Sequence, residues 1–520
     1  MKTQGLTRGG KRKYEGQHTR RPFSKTTVDA ETGLLNSTSR SGPEDKGKGM
    51  PEGPVMPSRT SPGAGLRGRD ERYFNNLYAT EPDFHQLGTM YPEFRSMLHG
   101  GVHLDFTDPS AIVQLTKTLL KEDFGLHINL LPDRLCPPVP NRHNYILWLK
   151  QLMDTTSPSF SDRYEPDRQV TGLDVGTGAS LIYPLLGCVQ RPGWHFIATD
   201  VDTESLANAR LNAAINGLET RIRIVRRATS DALIPLDELG LGSLDFVMVN
   251  PPFYASESEL LSLAAQKSRP PRSACTGALV EMVCEGGEVE FVKRLIDESL
   301  RLRERVQWYT AMLGKQSSIE TLVEILRVLK IGNFAVTGFI QGSRTRRWAL
   351  GWSFSTRRPS LAASRGHGLL ALKTILPPST EIRLVGPASD SYVDAVRSLR
   401  RLICETMAAM DLRLWAWEEE RLRGIGFADG NVWSRAYRRR QRAEMMLGKQ
   451  KGASSLSDVG RCAFGFSVTI NTEENGNLNG LAVTLRWLQG EDQSLFESLS
   501  GVLRRSLRLG RPRSPAIVPD

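Results

Sequence analysis

Between residues 169 and 356, short apolar runs alternate with longer stretches of helical period. Runs at 170–175, 195–200, 222–226, 244–249, 307–312, 333–340 and 347–354 have the length and apolar density of strands. That alternation predicts a parallel α/β sheet. Asp202 is placed to cap the helix after the second strand, and Asn216-Gly217 to close it. Upstream, Phe84, Leu87 and Tyr91 recur at helical spacing until Pro92 breaks the pattern. A stronger helix follows: Asp108 caps it, Pro109 suits its first position, Ile112, Leu115 and Leu119 line one face, and Gly125 ends it. Beyond the sheet, Tyr392, Val396, Leu399, Ile403 and Met407 form a helical stripe. Phe464, Phe466, Val468 and Ile470 alternate as a half-buried strand, and so do Leu481, Val483, Leu485 and Trp487. Phe496, Leu499, Leu503 and Leu507 make a last amphipathic helix. The expected organisation is a tail (1–70), a small helical module (71–150), the α/β domain (151–356, opening on a polar loop at 151–168), a linker (357–379), an α+β domain (380–510) and a final tail (511–520).

Residues 1–70 are rich in Gly, Ser, Thr, Pro, Lys and Arg and predict disorder, because they offer too little apolar surface to offset chain entropy. Lys11-Arg12-Lys13 and Arg20-Arg21 read either as a nuclear address or as a solvated tail. A net charge of +11 favours a polyanionic partner. The densest basic run is 435–442, which contains Arg438, Arg439 and Arg440. Six cysteines without C-x-x-C spacing argue against a zinc site and for a reducing compartment. No apolar stretch has the length of a bilayer span, and the first residues lack the core of a signal peptide, so no membrane partner is expected.

Two short motifs carry the chemistry. Asp174-Val175-Gly176-Thr177-Gly178 ends the first strand of the α/β pattern, and Asn250-Pro251-Pro252-Phe253 follows the apolar run Phe246–Val249. A Gly-x-Gly turn lets backbone approach a nucleotide-like ligand, and Asp200, at the end of the next strand, is placed to accept ribose hydroxyls. A dinucleotide-oxidoreductase fingerprint needs a third glycine near 181, which is Leu181 here. Asn-Pro-Pro-aromatic suits the methylation of a conjugated amino group, whose lone pair is delocalised. The Asn250 amide oxygen and the Pro251 carbonyl can each accept an N–H of that group and favour its pyramidal form. The prolines fix φ, and Phe253 offers a π-face to a base. Together the motifs point to an S-adenosyl-L-methionine site. Other amino-group acceptors (DNA adenine, ribosomal RNA adenine or protein glutamine) use the same motif, and a non-enzymatic RNA-binding splicing factor stays open as a different class.

Further runs resemble a known family. Arg72-Tyr73, Pro82-Asp83-Phe84, Tyr91–Phe94 and Leu120–Leu126 match its opening. Arg134-Leu135, Val139-Pro140, Arg142, Asn144–Ile146, Asp174–Ser180 and Tyr183–Gly187 follow, then the Asn250 motif. Glu285–Glu288, Glu290–Arg294, Met312–Lys315 and Arg347–Leu350 complete the match over about residues 72–356. The chain resembles the methyltransferase-like 16 family of U6 small nuclear RNA adenosine-N6 methyltransferases. The resemblance implies a Rossmann-like seven-stranded class I methyltransferase sheet, RNA as partner (U6 small nuclear RNA, with messenger RNA for some members), and nuclear residence with the cytoplasm also open. It implies that Arg142 holds the methionine carboxylate, that Gly176 and Ser180 line the cofactor, and that Asp200, often Glu in the family, meets its ribose. A threonine near the cofactor adenine falls at Thr229 or Ser230, without the lysine that usually precedes it. Arg344 and Arg347 match RNA-binding positions, Arg72 belongs to the module expected to grip phosphates, and the C-terminal domain is similar to a kinase-associated-type RNA-binding domain.

Overall fold

The first described helix, α1 (Glu71–Asn76), is capped by the Asp70 carboxylate, which accepts from Tyr73 N–H. The structure is a computed structural model and describes residues 69–259, 278–341, 345–366, 372–385, 391–446, 460–475 and 478–507. Residues 1–68 of the first expected tail, the final tail and Arg344 therefore lie outside the described residues. Helices α2 (Phe84–Met90) and α3 (Pro92–Arg95) follow, with Pro92 starting the second. A two-stranded ribbon, β1 (Leu98–His99) and β2 (His103–Leu104), comes next, an element that the apolar pattern did not announce. Helix α4 (Pro109–Phe124) starts at Asp108, which accepts from Ser110 N–H, and stops at Gly125 with φ 65°.

Helix α5 (Val139–Thr155) corrects the domain boundaries. The expected break at 150 falls inside it, because Leu149, Leu152 and Met153 are buried in one continuous core. The same core holds Phe74, Leu87, Phe94 and Phe124 of the N-terminal helices and Phe246, Met248 and Trp308 of the sheet. The N-terminal helices are thus a layer of the α/β domain, with no hydrophobic core of their own.

The sheet is built from β3 (Val170–Val175), β4 (Trp194–Asp200), β5 (Ile222–Arg226), β6 (Leu244–Val249), β7 (Val306–Leu313), β8 (Asn333–Gln341) and β9 (Thr345–Ser353), in the order β5-β4-β3-β6-β7-β9-β8. The first five strands run parallel, while β9 is antiparallel to both neighbours and returns between β7 and β8. Side chains of β6 alternate between two cores. Phe246 and Met248 join the first, and Val247 and Val249 a second. Helices α6 (Ile182–Gln190), α7 (Thr203–Ile215), α8 (Leu279–Met282), α9 (Gly287–Leu302) and α10 (Gln316–Val328) connect the strands, and α9 and α10 pack on the second core. Gly172 is required by packing: a Cβ there would lie 2.2 Å from Phe246 Cζ.

The C-terminal domain is a five-stranded antiparallel sheet, ordered β10 (Glu381–Val385), β14 (Leu478–Gln489), β13 (Phe464–Asn475), β12 (Arg423–Ala428) and β11 (Leu414–Glu418). Buried Leu399, Ile403 and Met407 of α12 (Tyr392–Ala408) and Phe496, Leu499 and Leu503 of α14 (Gln493–Ser506) share its core. Tyr392, expected in the stripe, stays 38% exposed. The basic run lies on α13 (Arg435–Met446), between β12 and β13.

The described residues of 151–168 and 357–379 are packed against their surroundings. In 151–168, Phe160 packs edge-on against Phe427 at 5.0 Å, and Asp162 pairs with Arg423 at 2.6 Å and with Arg486. In 357–379, Arg358 is buried, with Nε donating to Gly490 O at 2.8 Å and the guanidinium 4.4 Å over Trp487. A short helix, α11 (Leu361–Ser364), fits under Trp148, whose Nε1 donates to Ala363 O at 2.8 Å. Polar sequence hid these contacts because arginines and one aspartate carry them. Breaking a buried ion pair strands the surviving charge. Asp162→Ala is therefore expected to lower unfolding stability by about 3 kcal/mol, read by urea denaturation; a loss below about 0.5 kcal/mol would show that the docking rests on other contacts.

Candidate cofactor and acceptor cleft

Strands β3 and β6 are adjacent although they are not consecutive, so the strand order reverses between them. A crevice outside the carboxyl ends of the strands is expected at that reversal. Val175 pairs with Val249, so Gly176 and Asn250 leave the sheet side by side. A cleft of about 1210 Å³ opens there, lined by Arg142, Gly176, Gly178, Ser180, Asp200, Thr229, Asn250, Pro251 and Pro252 among others.

The cofactor-side wall is set by backbone. Gly176 and Gly178 have φ of 71° and 65°, which side chains with a Cβ rarely adopt. Gly176 and Thr177 N–H both donate to Thr199 O at 2.9 Å. Gly178 N–H donates to Asp200 Oδ2 at 2.8 Å, and Asp202 N–H to Asp200 Oδ1 at 3.0 Å. The Asp200 carboxylate is thereby aimed, and each oxygen keeps capacity to accept a hydroxyl. Behind Ser180, the Asn208 and Asn212 amides hold the Ala179 carbonyl at 2.8 and 3.2 Å. Asp174, expected in the wall, lies beneath it: its side chain is fully buried, with Oδ2 accepting from Thr177 Oγ1 at 2.7 Å and Oδ1 unpartnered. Burial, with the nearby Asp200 charge, pushes its pKa up to about 7 against the opposing pull of Thr177 and Arg142.

Arg142 is buried in the wall, its Nη1 2.6 Å from the Tyr183 hydroxyl and its guanidinium 5.3 Å over the Tyr183 ring. Its Nε has no partner, and among the described residues it pairs with no carboxylate. A buried cation with spare donors fits a ligand carboxylate. Asn250 Oδ1 is likewise buried and unpartnered, an acceptor facing no protein donor. The fit of S-adenosyl-L-methionine rests on the Arg142 guanidinium together with the Asp200 carboxylate and the Gly176–Gly178 turn, and the open Asn250 oxygen stands beside them for an acceptor group.

The acceptor loop is anchored from three sides. The buried Tyr145 hydroxyl meets Thr310 Oγ1 at 2.8 Å, and Thr310 donates to Val247 O at 3.0 Å, bracing the end of β6. Tyr254 N–H donates to Met282 O, and Cys284 N–H to Tyr254 O, both at 3.0 Å. Glu288 accepts from Gly314 N–H at 2.6 Å, Lys315 N–H at 3.1 Å and Ser318 Oγ at 2.6 Å. This holds Gly314 against Phe253; a Cβ at Gly314 would come within 3.0 Å of the ring.

Other expected residues fall outside the cleft wall. Phe253 stands beside it, with the half-buried Arg347 guanidinium 5.4 Å over its ring. Burial and the Arg142 charge push the Arg347 pKa down. Thr229 lines the cleft and Ser230 does not. Arg72, Arg438, Arg439 and Arg440 are exposed, on α1 and α13. Sequence reasoning gave no role to Tyr183, Glu281 or Arg294, all of which line the cleft. Glu281 accepts from Leu135 N–H at 2.8 Å and Ala278 N–H at 3.0 Å. Tyr183 and Arg294 sat in runs matched to the family, whereas Glu281 lies in no motif.

Residues 70–356 match the profile of a family described as RNA methyltransferase. The RNA N(6)-adenosine-methyltransferase METTL16 of Mus musculus is 44% identical over 280 residues, covering 52% of this chain and 49% of that protein. The U6 small nuclear RNA (adenine-(43)-N(6))-methyltransferase of Schizosaccharomyces pombe is 32% identical over 414 residues, covering 80% of this chain and 97% of that protein. A crystal structure of the hMettl16 catalytic domain in complex with MAT2A 3'UTR hairpin 1 is similar at a TM-score of 0.47 and 42% identity, over 53% of this chain and 92% of that one. The match spans about half the length of the vertebrate relatives.

The buried Asp174 carboxyl makes stability depend on pH. Its folded pKa lies above the unfolded value, so the folded state holds the extra proton. Stability is full below the unfolded pKa and falls as pH rises towards about 7. Asp174→Asn is expected to flatten that fall in the ligand-free protein, measured by thermal unfolding across pH; an unchanged slope would place the titrating group elsewhere.

Proposed function

The chain belongs to the RNA methyltransferase family, and from that premise we propose that it transfers a methyl group from S-adenosyl-L-methionine to the N6 nitrogen of an unpaired adenosine in structured RNA. The observation that carries the reading is Asn250 Oδ1: a buried acceptor without a partner, beside the Gly176–Gly178 turn and the aimed Asp200 carboxylate. An acceptor left open in a dry site costs stability unless a ligand donor meets it. An amino group carrying two N–H bonds is such a donor.

S-adenosyl-L-methionine supplies an electrophilic methyl group. Arg142 holds the ligand's carboxylate and Asp200 its ribose hydroxyls. Asn250 and Pro251 accept the two N–H bonds of the adenine, pin the nitrogen and stabilise the positive charge that develops on it. Alignment of this kind lowers barriers by about 7–11 kcal/mol. The protein need not remove a proton before attack, because the methylated nitrogen is acidic enough to lose one readily. Arg347, over Phe253, brings a cation to where a flipped-out base meets the protein. The exposed arginines of α13 grip phosphates away from the cleft.

U6 small nuclear RNA is the substrate we propose first, because the Schizosaccharomyces pombe relative, aligned over most of both chains, is named for it. The same reading proposes the nucleus as the place of action; a tagged full-length chain found only outside it would count against this. Purified protein incubated with RNA, DNA and glutamine peptides, followed by antibody-free mapping of N6-methyladenosine, separates the acceptor classes. A methylated glutamine and unmodified RNA would sink the proposal.

Two variants test the assigned roles. Asn250→Ala is expected to abolish methylation and leave S-adenosylhomocysteine affinity nearly intact by calorimetry; equal loss of both would mean that Asn250 serves the cofactor alone. Replacing Arg438, Arg439 and Arg440 with Ala is expected to weaken RNA binding and to reduce its salt slope by ~0.7 for each lost contact to single-stranded RNA. An unchanged slope in filter binding at several salt concentrations would remove α13 from the interface.

A further inference from the structure

The loop after β5 forms one wall of the cleft through Thr229, Asp231, Ala232 and Leu233. It belongs to no regular element, yet side chains from successive turns of one helix hold its backbone. Arg294 of α9 donates from Nη1 to Thr229 O at 3.2 Å and from Nη2 to Asp231 O. One turn further along, Glu298 accepts from Leu233 N–H at 2.8 Å and Ile234 N–H at 3.0 Å. The two side chains are 3.9 Å apart at Arg294 Nε and Glu298 Oε1. Four consecutive contacts, two to carbonyls and two to amides, thus fix the loop from the side of α9.

We infer that Arg294, with Glu298, is a positioning residue for the cofactor: the pair pre-organises the 229–234 backbone that the ligand meets in the cleft. The inference rests on the methyltransferase reading above. In a trans peptide unit the C=O and N–H point in opposite directions. Drawing the Thr229 and Asp231 carbonyls towards Arg294 therefore turns the N–H groups of Ser230 and Ala232 away from α9. Ala232 lies in the cleft wall, so its N–H is presented as a fixed donor to an acceptor nitrogen of a purine. A guanidinium suits this task because its planar fork can reach two carbonyls at once, whereas an ammonium group lacks that fixed geometry.

The same helix serves the acceptor side. Glu288, at its first turn, holds the 314–318 segment against Phe253, and Gly286 and Glu290 line the cleft. α9 is therefore one rigid piece that touches both halves of the site. Freeing the loop adds conformers that cannot bind, and apparent affinity falls by the fraction that remains competent.

Calorimetric titration of S-adenosylhomocysteine into the full chain without RNA tests this. Arg294→Ala is expected to raise Kd by about tenfold; Arg294→Lys and Glu298→Gln should raise it less. In steady state, KM for S-adenosylmethionine should rise in step while kcat, at saturating cofactor and RNA, stays near the parent value. Arg301→Ala, which loses only an exposed pair with Asp237, serves as the control and should leave Kd unchanged. An Arg294→Ala chain that folds and binds within about twofold of the parent overturns the inference. If that variant does not fold, an unaltered Kd in both Arg294→Lys and Glu298→Gln overturns it equally. Absence of binding by the parent chain would instead bring down the methyltransferase reading itself.

Discussion

The parallel pairing of β3 with β6 is the constraint on which the site depends. Each strand ends in a short motif that does little alone: a glycine turn on one, Asn-Pro-Pro on the other. The Val175–Val249 register sets them in adjacent positions where the strand order reverses between β3 and β6. A one-residue slip would send Phe246 and Met248 into the core that takes Val247 and Val249. Gly172 reinforces the register, since the Phe246 ring occupies the space a Cβ would need. The packing of two hydrophobic cores thus sets the alignment of the two motifs, and the Tyr145–Thr310 pair braces the end of β6 in addition.

The loops need more. Long connections outside the carboxyl ends of a sheet are poorly determined by the strands that carry them. Here acids hold them, Glu288 buried and Glu298 half-buried. Glu288 takes two backbone amides and a hydroxyl of the 314–318 segment, and Glu298 takes two amides of the loop after β5. A carboxylate suits this role because it accepts several N–H bonds at once and leaves none of them unpaired. Arg142 and Asn250 are the opposite case. Arg142 Nε and Asn250 Oδ1 have no protein partner, although Arg142 Nη1 bonds the Tyr183 hydroxyl, and open groups beside a cleft suit a ligand.

Much of this was legible in the sequence. All seven strands of the α/β sheet lie within a residue or two of their apolar runs, because a strand buried on both faces has a near-continuous apolar sequence. The two motifs and Arg142, Ser180, Asp200 and Thr229 meet in one cleft, although Asp174 lies below the wall and Phe253 beside it. What stayed hidden was carried by polar residues over long separations. Glu281 reaches Leu135 across 146 positions, and Arg423 reaches Asp162 across 261. No local period encodes such pairs. The antiparallel placement of β9 was hidden for a different reason: strand composition reports burial, and burial is the same for either direction.

The same polar contacts change what the C-terminal domain can do. A domain on a flexible tether adds only an effective concentration for its ligand. This one is fixed to the α/β domain by Arg358, Arg423 and Arg486, each buried and each bonded across the boundary. Burying three guanidinium groups is costly unless they are partnered, and Asp162, Thr155 O, Phe160 O and Gly490 O take many of their donors, while Arg486 Nε stays without a hydrogen-bond partner. Arginine is the suitable residue because its fork can bond several acceptors from a dry position and stays charged there. Helix α13 is carried between β12 and β13 of that docked sheet, so its arginines hold a set position relative to the cleft. On the proposed reading, an RNA bound at both places would have to match a fixed span, and shape would join the sequence around the target base in its recognition.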